Sequence, residues 1–248
     1  MTRRDWVVLL AALVMAALTA RLGWWQLDRA AQKTAVQEAR DSQGRLPPLA
    51  GRDLAREATS ATHQWYRKAA IDGVWLTEHT VYLDNRPMGG RPGFFVITPL
   101  LLEDGRAVVV QRGWLPRDAT DRTRIAAHRT DAGRVPVAGF IAPSTSRLYE
   151  LGDAATGPIR QNLGLADFAR ETRLTLLPLV IVQDDAGASS TDGLARHWPQ
   201  PAADVHKHFG YAFQWFGLSA LAITLYVWFQ LIRPRRRAAP RRAATDRV

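Results

Sequence analysis

The chain contains no cysteine among its 248 residues. This absence excludes disulfides, thiolate catalysis, zinc–thiolate centres and covalent haem attachment through C-x-x-C-H. Methionine is also scarce, with three residues, so the soft ligands that a copper carrier needs are missing. Any metal must therefore be held by histidine, by carboxylates or within a prosthetic group.

Motifs for catalysis are absent as well. The sequence has no G-x-S-x-G, no H-E-x-x-H, no Walker loop and no G-x-G-x-x-G after a strand. The glycine-rich stretch 87–93 lies between predicted strands and lacks a following helix to hold phosphate, so we predict a turn. Asp184 and Asp185 belong to a polar loop at 184–193, which favours solvation over paired-carboxylate chemistry. We predict that the protein is not an enzyme.

The net charge of +10 is concentrated at one end of the chain. Residues 233–248 carry +6, residues 1–5 carry +1, and everything between carries only +3. A nucleic-acid reader needs basic residues grouped on a folded surface with a recognition motif. The middle of this chain offers neither, so we predict no nucleic-acid partner.

Two apolar runs predict membrane spans. Residues 209–232 contain 24 positions without a charge, more than the roughly 20 that a helix needs to cross a bilayer. Residues 6–20 are uncharged, and the run reaches a spanning length only by continuing past Arg21 to Leu27. We predict transmembrane helices at 6–27 and 206–232, with lipid as a partner. A cleaved signal peptide is the alternative for the first run.

The basic residues at both ends predict the orientation. Arg3 and Arg4 precede the first span, and the tail 233–248 follows the second, so the positive-inside rule makes both termini, 1–5 and 233–248, cytoplasmic. The segment 28–205 then lies in the periplasm. This orientation predicts a protein of the bacterial inner membrane.

The segment 28–205 reads as one α+β domain rich in antiparallel strands. Strands are predicted in HTVYLDNR, in two apolar runs of PGFFVITPLLLEDGRAVVVQRGWLP joined by Glu-Asp-Gly, at Val135–Ile141 and at Leu177–Val182. The stretch LADFARET reads as a short helix. The predicted fold is an α+β membrane protein, with two transmembrane helices flanking one periplasmic domain.

One histidine stands out at the start of the second span. A helix that begins near Lys207 places His208, Tyr211 and Trp215 on one face. Imidazole beside aromatic rings suits an axial haem ligand, and it equally suits an interfacial anchor, because His, Tyr and Trp all favour the bilayer boundary. The residues alone leave both interpretations open.

The end of the first span supplies complementary groups. Trp25, Arg29 and Lys33 recur at a spacing of four, with Gln26 adjacent. If both helices leave the bilayer on one side, this face and the His208 face lie at the same level. A porphyrin needs cations for its propionates and apolar walls for its ring, and these residue types match both needs.

These motifs together resemble the surfeit locus protein 1 family of cytochrome c oxidase assembly factors. The family pattern G-x-W-Q-x-x-R-x-x-x-K matches residues 23–33, and its N-R, P-G-[FY]-x-V-x-T-P-L and R-G-W-[VL]-P boxes match residues 85–86, 92–100 and 112–116. The pattern N-H-x-x-Y-A-x-x-W matches residues 207–215, except that Lys207 replaces asparagine.

The resemblance implies an assembly factor that binds haem a and helps to insert it into the catalytic subunit of cytochrome c oxidase. It implies contact with the haem a synthesis machinery, and it makes His208 the axial ligand of the haem iron. The cofactor-binding residues it implies are His208, Tyr211, Trp215, Trp25, Gln26 and Arg29. A cofactor-free scaffold for oxidase subunits is the alternative, and an enzyme at the membrane surface is a third class.

The box at 112–114 has a structural interpretation. We predict that Gly113 adopts a turn conformation that closes a hairpin and that Trp114 packs on the core. A direct contact between this box and haem or a partner is the alternative.

Overall fold

A computed structural model describes residues 2–145, 157–185, 192–198 and 205–233. The chain divides into two compact units, one made of Met1–Gln37 with Gln200–Val248 and the other of Glu38–Pro199. The predicted basic tail from residue 234 onward lies outside the described residues, as do residues 186–191 of the predicted loop.

Two long helices build the first unit, which includes the earlier of them as far as Gln37. Helix α1 is Arg3–Gly44, and helix α4 is Val205–Tyr226, which continues as a π-helical segment over Val227–Ile232. Neither helix contains proline, so no residue interrupts the backbone hydrogen bonds. Both helices are long and apolar enough to cross a membrane. The predicted spans lie inside them, and α1 continues beyond its predicted span.

The second unit is a β-structure with two short helices, α2 at Ala58–Ala61 and α3 at Leu165–Thr172. Its strands are β1 Lys68–Trp75, β2 Val81–Leu83, β3 Gly93–Leu101, β4 Ala107–Pro116, β5 Arg134–Ala142, β6 Ile159–Arg160 and β7 Leu176–Gln183. They pair in the order β1-β5-β7-β4-β3-β2-β6, and β1 also pairs with β3. This extra pairing joins β1, β5, β7, β4 and β3 into a small closed barrel, from which β2 and β6 extend.

The hairpin predicted at Glu-Asp-Gly is confirmed. Strands β3 and β4 pair antiparallel from Gly93 opposite Pro116 to Leu101 opposite Ala107. Gly105 in the connecting turn has φ +80°, a conformation that glycine adopts without steric cost. Almost every residue of both strands is buried, so the hairpin is covered on its two faces.

Two apolar clusters cover those faces. Successive residues of a strand point to opposite sides, so Val108 belongs to one cluster and Val109 to the other. The first cluster includes Ile71 of β1 and Leu179 of β7. The second includes Phe168, which comes from helix α3. The central strands therefore form the core of the unit.

The remaining predicted elements are also confirmed. Helix α3 is Leu165–Thr172, which is the predicted LADFARET, and strands β5 and β7 contain the runs predicted there. The sequence did not predict β1, in which small or polar residues surround its apolar positions, or the two-residue β6. Most pairings are antiparallel as expected, but β4–β7 and β2–β6 are parallel.

Candidate functional site

His208 and Gln26 meet across the two long helices of the first unit. Nδ1 of His208 donates a hydrogen bond to Oε1 of Gln26 at 2.7 Å. An amide oxygen only accepts hydrogen bonds, so Nδ1 carries a proton, and in the neutral form of imidazole the lone pair then lies on Nε2. Within the described residues, His208 has no second hydrogen-bond partner. In that form, the imidazole presents a basic Nε2 to which none of the described groups donates a hydrogen bond.

The helices approach closely beside this contact. A Cβ atom added at Gly23 would lie 2.9 Å from ring atoms of Phe216, so only glycine leaves room for that ring. Trp24 meets Phe216 edge-on with 6.0 Å between the ring centroids. Further along, the Ser219 hydroxyl donates to the carbonyl of Ala16 at 2.9 Å. These contacts fix the register in which Gln26 reaches His208.

The predicted aromatic face of α4 is present. Tyr211 and Trp215 follow His208 by three and seven residues on the same helix, which places them along one side. The Tyr211 side is open, with 51% of the residue exposed, and Trp215 is half-buried. This side of the helix is therefore at least partly exposed at both aromatic residues.

Trp25 and Arg29 contact each other and not His208. The Arg29 guanidinium lies 5.7 Å from the centroid of the Trp25 ring. Its Nη1 donates to Oε1 of Gln32 at 2.9 Å. Trp25 is 46% exposed. Of the residues predicted at the end of the first span, Gln26 is the one that the structure brings to the histidine.

Sequence reasoning missed how the two helices engage. It grouped residues by helical spacing and placed the Trp25 to Arg29 face opposite His208. The useful signal was the buried small residues of α1, which mark the side that faces a partner helix. They are Ala16, Thr19, Gly23 and Ala30. Gln26 continues this stripe at the same spacing.

The Asn-Arg and Gly-Trp boxes of the second unit make buried contacts within it. Arg86 is 2% exposed, and its Nη2 donates to the carbonyl of Gln161 at 2.7 Å. Nε1 of Trp114 donates to the Arg86 carbonyl at 2.6 Å. Asn85 adopts φ +59°, which turns the chain between β2 and β3. The prediction that Trp114 packs on the core is confirmed, since it is 6% exposed within an apolar cluster.

The prediction for Gly113 is wrong. This residue lies within β4 and not in a turn, and its φ is not positive. Glycine is needed for a different reason, because an added Cβ would lie 2.6 Å from Cβ of Leu194. The chain around Leu194 follows β4 closely, and the Trp114 amide donates to the Ala195 carbonyl at 2.8 Å.

Arg112 is a buried cation that ties a long loop to the barrel. It occupies the bulge in β4, where β3 has no opposing residue. Its Nη1 donates to Oγ1 of Thr130 at 2.6 Å and its Nη2 to the Arg129 carbonyl at 3.1 Å. The guanidinium lies 4.6 Å from the centroid of the Trp75 ring. Burial lowers the pKa of the Arg112 guanidinium below its usual value.

One unit thus contains a pair of apolar helices with a histidine whose Nε2 has no hydrogen-bond partner among the described residues. The other contains a small barrel with buried arginines. A sequence model of the SURF1 family matches residues 13–220, which covers both units. The chain belongs to the SURF1 family.

Individual relatives agree with this assignment. A SURF1-like protein of Rickettsia bellii is 24% identical over 221 residues, covering 88% of each chain. A SURF1-like protein of Rickettsia felis is 25% identical over 226 residues, covering 89% of this chain and 96% of its own. The cytochrome oxidase assembly protein SHY1 of Saccharomyces cerevisiae is 28% identical over 115 residues, covering 45% of this chain and 29% of its own.

Proposed function

We propose that this protein is a membrane-anchored assembly factor of cytochrome c oxidase that binds haem a through His208 and assists its insertion into the catalytic subunit. Membership of the SURF1 family supports the assembly role, and so does the similarity to a yeast protein named for cytochrome oxidase assembly. The contact between His208 and Gln26 is the observation that supports haem binding.

Exposed apolar side chains support the membrane location. Large hydrophobic residues with half or more of their surface exposed lie along both helices of the first unit. They are Trp6, Val7, Leu10, Leu13, Val14, Met15, Leu18, Trp24, Phe209, Tyr211, Phe213, Leu221, Ile223 and Phe229. Soluble proteins rarely expose so large an apolar surface, and a bilayer would bury it. The charge of the ends supports cytoplasmic termini and a periplasmic barrel domain.

The side chains at His208 fit a haem. Haem a would supply an iron, for which a neutral imidazole nitrogen is a common ligand. Nε2 of His208 would be that nitrogen, because the Nδ1–H group is engaged in the hydrogen bond to the Gln26 oxygen. Tyr211 and Trp215 offer apolar walls along the same side of α4. Arg29 and Lys33 are cations suited to the propionates.

A spectrum of the purified protein tests haem binding. The protein is purified in detergent from cells that make haem a, beside the variants His208→Ala and His206→Ala. We expect the wild type to show a Soret band. The band should be lost or strongly shifted in His208→Ala and nearly unchanged in His206→Ala, because His206 is an exposed neighbour. Arg29→Ala should release haem more readily without altering the band position, because its partner is a propionate and not the iron.

A deletion strain tests the assembly role. Without this protein, we expect the oxidase polypeptide to be made but to contain less haem a and to show less activity. Wild-type protein should restore both, and His208→Ala should not. Restoration by His208→Ala, combined with a wild-type protein that purifies without a Soret band, would instead identify a cofactor-free scaffold. Full haem occupancy in the deletion strain would contradict an assembly role altogether.

A further inference from the structure

The geometry points to Gln26 as the residue that positions His208: its amide oxygen holds the proton on Nδ1, so that Nε2 is the nitrogen presented to the iron. This inference rests on the proposed function. It gives α1 a part in the binding site beyond anchoring the protein in the membrane.

The hydrogen bond to Gln26 selects the tautomer of His208. A neutral imidazole carries one proton, on either ring nitrogen, and the nitrogen that lacks it is the one that binds metal. The acceptor 2.7 Å from Nδ1 stabilises the proton there. Without this acceptor, part of the population would carry the proton on Nε2, where it blocks coordination. Gln26 therefore controls how much of the protein is ready to bind.

The same hydrogen bond orients the His208 ring. Histidine ligands of metals usually donate their other N–H group to a neighbouring acceptor, which fixes the ring plane and makes the ligand more basic. Gln26 is in the right place to do both for His208. Its uncharged amide achieves this without placing a carboxylate beside the haem.

Close packing of the two helices holds Gln26 itself in place. Gly23 precedes it by one turn and Ala30 follows by one turn, and both are buried on the same side of α1. The absence of a side chain at Gly23 admits the Phe216 ring. On α4, Ala212 is 2% exposed one turn after His208. Close packing on both sides leaves the Gln26 side chain directed at the ring.

Nitrogen-15 NMR of the haem-free protein tests the tautomer directly. The protein is labelled at histidine and studied in lipid nanodiscs at a pH where imidazole is neutral, and the His208 signals are assigned by their loss in His208→Ala. We expect a protonated Nδ1 and a bare Nε2 in the wild type. Gln26→Leu removes the acceptor and should move protons to Nε2. Gln26→Glu restores an acceptor oxygen and should retain the wild-type tautomer.

Haem titration of the same variants supplies the second measurement. Loss of an outer partner of a metal ligand typically weakens metal binding about 10–100-fold, and we expect a loss of that size in Gln26→Leu. Gln26→Glu should bind haem and lower its reduction potential, because a carboxylate makes the imidazole a stronger donor. The control is Gln214→Leu, which makes the same change at an exposed position of α4 and should match the wild type.

The outcomes separate this inference from the proposed function. A wild-type His208 with its proton on Nε2 would overturn the inference, and so would a Gln26→Leu variant with unchanged tautomer and haem affinity. In either case, loss of haem in His208→Ala would still support the proposed function. A wild type that binds no haem would contradict the proposed function and, with it, the role of Gln26 toward iron. Membrane fractionation of each variant shows that it has inserted.

Discussion

Gln26 and His208 are separated by 182 positions in the chain, yet their side chains share a hydrogen bond of 2.7 Å. The contact joins the first long helix to the last. It requires the two helices to pack with one register, because a shift of one residue would turn Gln26 away from the imidazole. Substitutions of the packing residues around this pair should therefore affect the contact, as substitutions of the pair itself would.

Gly23 is the most sensitive of these packing positions. Gly23→Ala places a methyl group 2.9 Å from the Phe216 ring, so the ring or the helix must move. Overpacking of this kind costs about 1–3 kcal/mol. We expect a lower melting temperature in detergent and weaker haem retention. Gly210→Ala is the matched control, because its Cβ meets nothing within 4 Å and alanine favours the helix. Equal melting temperatures would contradict the close approach at Gly23.

Arg112 should control the loop that follows β4. Arg112→Met keeps the apolar contact with Trp75 but leaves the Thr130 hydroxyl and the Arg129 carbonyl without their donor. We expect the barrel domain to lose about 1–3 kcal/mol of stability, the usual cost of an unsatisfied buried polar group. Trypsin should also cleave faster after the exposed Arg122.

The control for this loop is Arg52→Met. The Arg52 side chain is 89% exposed, so its replacement should leave both stability and cleavage rate unchanged. A loop that resists trypsin equally in Arg112→Met and in the wild type would show that Arg112 does not hold it.

The pair between Arg160 and Glu171 predicts a pH dependence. Nη1 and Nη2 of Arg160 each donate to an oxygen of the Glu171 carboxylate at 2.8 Å, and these hydrogen bonds lower the pKa of Glu171 below its ordinary 4.5. The lowered pKa means that this stability is present above pH 4.5 and is lost as pH falls through the folded-state value. Glu171→Gln should cost about 1 kcal/mol at neutral pH, with allowance for solvent around the carboxylate.

Thermal unfolding between pH 7 and pH 3 measures this effect. The difference between wild type and Glu171→Gln should shrink as the pH falls below 4.5. Asp167→Asn on the same helix is the control, since its pair with Arg170 is exposed and should contribute little. A difference that stays constant over this range would show that the carboxylate charge does not stabilise the fold.

The lack of cysteine makes the membrane orientation directly measurable. Single cysteines at the exposed positions Thr2 and Ala119 introduce the only thiols in the protein. A maleimide that crosses the outer but not the inner membrane should label Ala119→Cys in intact cells, and Thr2→Cys only after lysis. Labelling of both in intact cells would contradict a cytoplasmic N-terminus. Loss of Thr2→Cys from the mature chain would identify a cleaved signal peptide.

The sequence predicted those elements whose signals are local. The Glu-Asp-Gly turn and its flanking apolar runs predicted β3 and β4, and LADFARET predicted α3, because period and turn chemistry decide these elements. Strand β1 was missed, since its buried positions include Ala69 and Gly73, whose small side chains weaken the alternation. That strand depends on pairing with β5 and β3, which local sequence does not reveal.

In the candidate site, too, local sequence signals predicted some features and tertiary packing decided the others. Helical spacing placed His208 with Tyr211 and Trp215, and it drew attention to the end of the first span. It did not reveal which side of α1 faces α4, because Trp25 and Gln26 are neighbours on the helix and only packing distinguishes them. Gly113 was misjudged for a related reason. Glycine is needed there because Leu194, about 80 residues further along the chain, packs against it, and not because its own backbone adopts a turn.

The order of the strands also bears on how the barrel is made. Strand β7 lies between β4 and β5, although it is the last of the described strands along the chain. During synthesis, β1 through β5 emerge first, and the facing edges of β4 and β5 then have no partner. The barrel closes only when residue 183 has become available. A nascent or truncated chain that stops earlier therefore exposes two unpaired strand edges, which favour aggregation until β7 is available.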